Sequence, residues 1–369
     1  MSNFGYEIDF LPVGNGSSGD AIAVRYGIAP NYKVMVVDGG TKESGIALVN
    51  HIQKYYKTSR VDYVVNTHPD KDHASGLTEV LENLKVGELW LHRPWLYIKN
   101  IVQYVDNSQT PFLRDKRTTI ESIKRRFEEE YYKYARELEK IAEQKDIPIK
   151  EPYEGAQIGE FYVLSPNKEW HLFNLIPNSN KTQEIATEGS KVGILESMKE
   201  IMLLSVKEKL KFKFETLKDY KATTRENESS VILYANFNGR GILLTGDAGK
   251  ESLQRAYNFA MQQQQIGNIS QNLNFIQIPH HGSRRNISPQ VLNQIIGKKP
   301  KDSITAFVSA GKNDEKHPRR VVTNAFIRRG CKVVATQGSA KCHYRNVPKR
   351  EGWTTAEPIP FFDKVESYD

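Results

Sequence analysis

His68-Pro69-Asp70-Lys71-Asp72-His73 places four potential metal ligands within six residues. Imidazole and carboxylate groups together suit Zn²⁺, Mn²⁺ or Fe, whereas Ca²⁺ and Mg²⁺ prefer shells of oxygen alone. On an extended loop, side chains two apart point the same way. His68, Asp70 and Asp72 are therefore expected to face one site, with His73 beside them. The plainer alternative is a polar turn capping the next helix, with Asp72 as the cap. Three further groups weigh against it: Asp247 in Thr245-Gly246-Asp247, the pair in His280-His281-Gly282-Ser283, and His317 before Pro318. Each is ordinary alone. All of them follow apolar runs, so ligands at neighbouring strand ends would converge if the strands share a sheet. Asp247 could then bridge two metals about 3.5–4 Å apart, with a hydroxide between them as the nucleophile.

The runs that would carry these residues read as strands with helices interleaved. Glu7 to Leu11, Ala21 to Tyr26 and Lys33 to Val37 form a meander that ends in the tight turn Asp38-Gly39-Gly40. Val61 to Asn66 leads into the His/Asp hexapeptide, and Glu88 to His92 follows a short helix over 76–83. Ser230 to Ala235 and Gly241 to Leu244 flank Asn238-Gly239, a strong hairpin signal. Phe275 to Pro279, Thr305 to Ser309 and Cys331 to Ala335 are later strands. The order favours an α/β layered fold.

Two stretches interrupt it. The first, about 95–150, holds an amphipathic helix over 114–146, with Ile120, Ile123, Phe127, Tyr131, Tyr134 and Leu138 at spacings of three and four. The second, 167–225, is polar around a helical core over 191–211 and reads as a lid or partner-binding element. The whole, 1–369, is expected to be a single domain with these two insertions.

With 369 residues and 38% hydrophobic content, the chain can bury a sizeable core. Its net charge of +8 fits a polyanionic partner or simply a basic soluble protein. Cys331 and Cys342 have no ligand spacing and read as reduced thiols. Neither a signal peptide nor an apolar run of about 20 residues is present. The expectation is a cytosolic protein without a membrane segment.

The ordered motifs resemble the metallo-β-lactamase superfamily, and within it the ComEC-like branch, the hydrolase domain of bacterial DNA-uptake proteins. The stretches that carry the resemblance begin with Phe10 to Gly16 with Asp20-Ala21-Ile22, Val37-Asp38-Gly39-Gly40, and Thr67 to His73 with Gly76-Leu77. They continue with Leu164-Ser165-Pro166, Asn227 with Ser230-Val231, Leu244 to Asp247, Ile278 to Ser283, and His317-Pro318. The resemblance implies an α/β fold, a four-layer αββα sandwich with the metals at one edge of the two sheets. It implies that His68 and Asp70 serve one metal, Asp72 and His73 the other, and that Asp247 bridges them. His280, His281 and His317 would complete the shells, in an order that it leaves open. Asp72 would also orient or deprotonate the attacking water, so Asp72 and Asp247 are the expected catalytic residues.

Two departures stand out. Asp70 replaces the usual second histidine of the motif, which brings Mn²⁺ or Mg²⁺ into consideration beside Zn²⁺. Ser165-Pro166 stands where the superfamily has a Gly-His ligand, and His171 falls just beyond the matching stretch.

As to substrate, the ComEC-like resemblance implies DNA and a nuclease that acts without a membrane channel. Ser283, Arg284 and Arg285 would lie next to the metals, where guanidiniums hold phosphates bidentately. Lys312, Lys316, Arg319 and Arg320 add positive charge around His317. Trp90, Trp95 and Tyr97 are either base-stacking residues or core packing. Two other readings stand beside the nuclease: a hydrolase of lactones, amides or small phosphoesters, and a regulatory module. A protein partner would dock on 167–225 or 114–146, and an oligomer or a role in antiviral defence is compatible with each.

Overall fold

The computed structural model describes residues 4–107, 119–179, 214–297 and 304–367. In chain order, the first strands are β1 (Phe4–Phe10), β2 (Ala21–Ile28), β3 (Asn31–Gly39), β4 (Arg60–Val65), β5 (Lys85–Trp90) and β6 (Ile149–Lys150). Then come β7 (Gln157–Ile158), β8 (Phe161–Ser165), β9 (Ile232–Asn236) and β10 (Gly241–Leu244). The last are β11 (Leu273–Gln277), β12 (Thr305–Val308), β13 (Lys332–Ala335) and β14 (Lys341–Arg345).

They form two mixed sheets, ordered β14-β1-β2-β3-β4-β5-β6 and β13-β12-β11-β10-β9-β8-β7. In the first, β3, β4 and β5 run parallel. In the second, β10, β11, β12 and β13 do. Parallel strands end on the same rim, so each sheet presents a row of C-terminal loops.

Alternation along the strands sorts their side chains between layers. Ile22, Val24, Tyr26, Met35 and Val37 meet Phe161, Val163, Leu233, Leu244 and Phe275 between the sheets. The opposite face of the first sheet, with Ala21, Ala23 and Val36, packs on helices Lys42–His51, Leu77–Asn83 and Lys133–Gln144. The second sheet carries Lys250–Gln262, Pro289–Ile295 and Arg320–Arg328. This is the αββα sandwich of the metallo-β-lactamase fold. The hairpin at Asn238-Gly239 has φ of 53° and 82°, with Phe237 and Arg240 exchanging backbone bonds of 2.9 and 3.2 Å. Among the described residues, no helix is long and apolar enough to cross a membrane.

One local expectation changes. The stretch 114–146 is not one helix over its described part. It runs as Ile120–Arg126, a π-helical turn Phe127–Tyr131 and Lys133–Gln144, broken at Tyr132 (φ −115°, ψ 20°). Tyr132 leaves the helical path with its ring stacked on Phe127 at 5.5 Å and tilted against Trp95 at 5.8 Å. The helical core expected at 191–211 lies outside the described residues. Trp90 and Trp95 are 5% and 1% exposed, and Trp95 donates from Nε1 to Glu139 (3.0 Å), so both are packing residues rather than stacking platforms.

Candidate metal centre

The hexapeptide follows β4, Asp247 follows β10, and His280-His281 follow β11. The loop at 68–73 is not extended throughout. Asp70 is the extended N-cap of a helical turn, Lys71–Ala74, and its carbonyl accepts from His73 N (3.1 Å) and Ala74 N (2.9 Å). The period of two thus ends at Asp70, and the cap is Asp70 rather than Asp72. The turn carries half-buried Asp72 and fully buried His73. At the other rim His280 and His281 are both left-handed, with φ of 46° and 55°, followed by Gly282 at 84°. This turn aims two successive imidazoles at the same carboxylate.

That carboxylate is Asp247, 4% exposed, with four imidazoles around it. Oδ1 lies 3.5 Å from His73 Nε2 and 3.8 Å from His281 Nε2. Oδ2 lies 3.5 Å from His280 Nε2 and 3.9 Å from His68 Nε2. Asp70 Oδ2 is 3.8 Å from His68 Nε2. Burial works against an ionised Asp247, but His280, His73 and His281 overcome it and hold its carboxyl well below the usual range. Burial drives His281 down to about 3, and it pushes Asp20, close to His73 and Asp247, up to about 7.

The outward ring nitrogens are fixed by neighbours. Thr67 Oγ1 donates to Asp38 Oδ2 (2.5 Å) and accepts from His68 Nδ1 (3.1 Å). His73 Nδ1 donates to Asp38 Oδ2 (2.8 Å). Asn286 donates from its amide nitrogen to the Asp247 carbonyl (2.7 Å), and its Oδ1 meets His280 Nδ1 (2.9 Å), which the Asn227 amide nitrogen also reaches at 3.0 Å. With Nδ1 engaged on the outer side, the Nε2 atoms of His68, His73 and His280 all face Asp247. His68 Nε2, His73 Nε2, both ring nitrogens of His281 and Asp247 Oδ1 are buried without hydrogen-bond partners. Buried ring nitrogens and a carboxylate oxygen left without partners at this spacing are what a bound cation would satisfy. The donor set therefore fits divalent metal ions, and such outward hydrogen bonds are how metal-binding histidines are oriented. Within 4.8 Å of one another lie the ligand atoms of Asp38, His68 and His73, of Asp72, His73 and His281, and of Asp20, Asp247 and His281.

His317 stands further out. Its ring is 6.0 Å from that of His280 and 6.1 Å from that of His281, and its Nδ1 bonds Asp314 at 3.2 Å. It belongs to none of these three groups. Ser283 is buried in the turn, where its hydroxyl accepts from Arg285 N (3.3 Å). Arg284 donates to the Ser367 carbonyl and lies 4.6 Å over the Tyr220 ring. Lys312 is exposed and packs its stem along Gly338. Sequence reasoning passed over Asp20, Asp38 and Asn286 as site residues. Asp38 had a signal: a carboxylate at the turn before two glycines, here at φ 55° and fully buried.

The architecture is the metallo-β-lactamase fold, and part of the chain also resembles that superfamily in sequence. Residues 18–156 match the profile of the Metallo-beta-lactamase superfamily. ComE operon protein 3 of Bacillus subtilis (strain 168) is 29% identical over 123 residues, 32% of this chain. Those residues span 14% of that protein's length. Among solved structures, the metallo-β-lactamase fold protein YhfI from Bacillus subtilis is 9% identical with a TM-score of 0.40, over 92% of this chain and 100% of its own. A diphosphatase from the PhnP family is 9% identical with a TM-score of 0.38, over 92% and 98%.

Proposed function

We propose that the protein is a metal-dependent phosphodiesterase that cuts nucleic acid, DNA first, at a two-metal centre bridged by Asp247. One observation carries this reading: each oxygen of Asp247 faces two imidazoles, a separate pair for each. The pairing groups His68 and His280 with Asp70 around one ion, and His73 and His281 with Asp72 and Asp20 around the other. Divalent ions held there would supply a water-derived nucleophile at neutral pH and neutralise a phosphate. Zn²⁺ and Mn²⁺ fit the mixed donors, and Mg²⁺ suits the carboxylate-rich half.

The protein's own groups do the rest. Asp72, half-buried at the rim, takes the proton of the attacking water. His317 borders the centre from outside, where it can meet a leaving group. The +8 net charge supports a polyanionic substrate, and Arg284 and Arg285 directly follow the His280-His281-Gly282-Ser283 turn. Arg284 would exchange its Ser367 contact for a phosphate. The ComEC-like motifs point to DNA over lactones or small phosphoesters. A cytosolic setting and a protein partner at 167–225 or 114–146 belong to the same proposal.

The test is to incubate purified protein with linear DNA, circular DNA, RNA and simple phosphodiesters, each with Mn²⁺, Mg²⁺ or Zn²⁺. DNA is cut in at least one metal, EDTA stops it, and Asp72→Ala lowers the rate by about a hundredfold or more. Undiminished cutting in EDTA or in Asp72→Ala would sink the reading. Turnover of simple diesters without salt-dependent DNA binding would move it to a small-molecule hydrolase.

A further inference from the structure

The second sheet has another rim, opposite the one that carries Asp247. β10 and β11 run parallel, with Asp247 and His280 past their C-terminal ends. Arg240 and Asn272 stand just before their N-terminal ends. Strands of four and five residues separate the two rims by about 13–17 Å. At this far rim lies an open pocket of about 370 Å³. Arg240 lines it from the hairpin between β9 and β10. Arg345 lines it from the end of β14 in the first sheet, where it pairs with Tyr6. The rest of the polar wall is uncharged: Asn238, Gln271, Asn272 and Asn274.

Among the described residues neither arginine has a carboxylate partner, and no Asp or Glu lines the pocket. Other arginines of the molecule are paired: Arg25 with Glu7, Arg225 with Glu251, Arg329 with Glu215 and Arg350 with Asp9. Arg240 and Arg345 also act on one buried group. Tyr6 is 2% exposed, and its hydroxyl donates to Asn274 Oδ1 (3.1 Å) and lies 3.4 Å from His343 Nε2. Burial raises the Tyr6 hydroxyl, and the two arginines are the charges that pull it back. Burial, with Arg240 adding to it, drives His343 down to about 4. No carboxylate contributes to either shift, so nothing near Tyr6 offsets the two positive charges. Two cations sharing a pocket repel each other, and a bound anion removes that repulsion.

We propose that Arg240 and Arg345 form a separate binding site for a phosphate dianion, free or as a monoester, at the rim opposite the Asp247 centre. A phosphate monoester carries about −1.5 to −2 charges at pH 7, which matches two guanidiniums. A phosphodiester or a carboxylate carries only one. Each guanidinium can fork onto two phosphate oxygens, and the exposed amides of Gln271 and Asn272 offer further donors. The pocket is larger than a phosphate alone, which leaves space for the group that it esterifies. The site does not depend on the proposed nuclease activity, and its test does not read activity.

The Asp247 centre is first saturated with Mn²⁺, so that any anion held there is common to all the proteins compared. Radiolabelled inorganic phosphate, AMP, dimethyl phosphate and acetate are then offered in parallel by equilibrium dialysis at constant ionic strength. Wild type takes up one phosphate or AMP per chain more than Arg240→Gln or Arg345→Gln. Arg240→Lys, which keeps the charge without the fork, binds more weakly than wild type and more tightly than Arg240→Gln. Tighter uptake of phosphate marks the free ion as the ligand, tighter uptake of AMP marks an ester, and either supports the site. Equal uptake by wild type and both Gln variants, including none by any of them, overturns it. Arginine-dependent uptake of dimethyl phosphate or acetate as tight as that of phosphate overturns the choice of a dianion.

Discussion

At the scale of single residues, the centre depends on groups that never face the cations. The left-handed turn at His280-His281 places two non-glycine residues in an unfavourable backbone region, at about 1–3 kcal/mol each. Of its two side chains, that of His280 is tied from behind. Asn286 does this for His280: it grips the Asp247 carbonyl with one end of its amide and the His280 ring with the other. Asn286→Ala should leave the fold intact and weaken binding of one metal by about 10–100-fold. Competition titration against a chelator measures this, and unchanged affinity for both ions would remove the orienting role. Asp38→Ala should be more severe, because Asp38 holds His73 directly and His68 through Thr67. Both metal affinities should fall by at least about tenfold.

At the scale of elements, backbone proximity decides whether the first half of the centre forms. The helical turn bearing Asp72 and His73 leads into Gly76, which touches the end of β3 and the helix after it. A Cβ on Gly76 would overlap the carbonyl oxygens of Gly39 and Thr41, and one on Gly45 would overlap Gly76. Gly76 has ordinary helical angles (φ −76°, ψ −18°), so space and not conformation requires glycine there. Its obstacles are backbone atoms that no rotamer change can move. Gly76→Ala should lower stability by about 1–3 kcal/mol and displace His73 enough to weaken metal binding. Gly239→Ala, strained at φ 82° but in open space, should lower stability by about 1 kcal/mol and leave metal binding alone. Denaturant unfolding with and without metal separates the two, and the idea fails if both variants behave alike.

The same contacts explain what could be read from sequence. His68, Asp247, His280 and His281 were visible because each follows an apolar strand, and strand ends share a rim. Asp20, Asp38 and Asn286 were not, because their roles come from burial and from partners on other elements. The break at Tyr132 has no signal in the sequence, because six apolar positions at helical spacing continue across it, while the break follows from packing against Trp95 and Phe127.

At the scale of the whole molecule, the segment after β14 fastens both layers. Ile359 N bonds the β13 carbonyl of Val333 (2.7 Å), Asn324 and Phe362 exchange bonds of 2.8 and 2.9 Å, and Glu366 accepts from Arg320 N (2.9 Å). Its anchor on the first sheet is Arg350. The guanidinium forks onto both oxygens of Asp9 at 2.7 Å, reaches Glu7 at 3.0 Å and packs against the rings of Tyr55 and Trp353. Asp9 is fully buried. Burial would raise its carboxyl, but His51 and Arg350 outweigh it and hold the group well below the usual range. A carboxylate lowered in this way contributes stability above its unfolded value, about 3.9, and loses it as the pH falls toward the lowered folded value. Arg350→Met keeps the bulk but strands a buried charge, which should lower stability by about 3–5 kcal/mol at pH 7. In the variant His51 still faces Asp9 but the guanidinium is gone, so the folded carboxyl rises; the deficit should therefore shrink as the pH falls, and below about 4 the wild type also loses its own ion-pair contribution. Arg350→Lys should recover only part of the loss, since an ammonium cannot fork onto two oxygens. Unfolding midpoints of the three proteins between pH 3 and 8 decide it. A difference between wild type and Arg350→Met that stays constant with pH would show that packing against Tyr55 and Trp353, and not the ion pair, holds the segment in place.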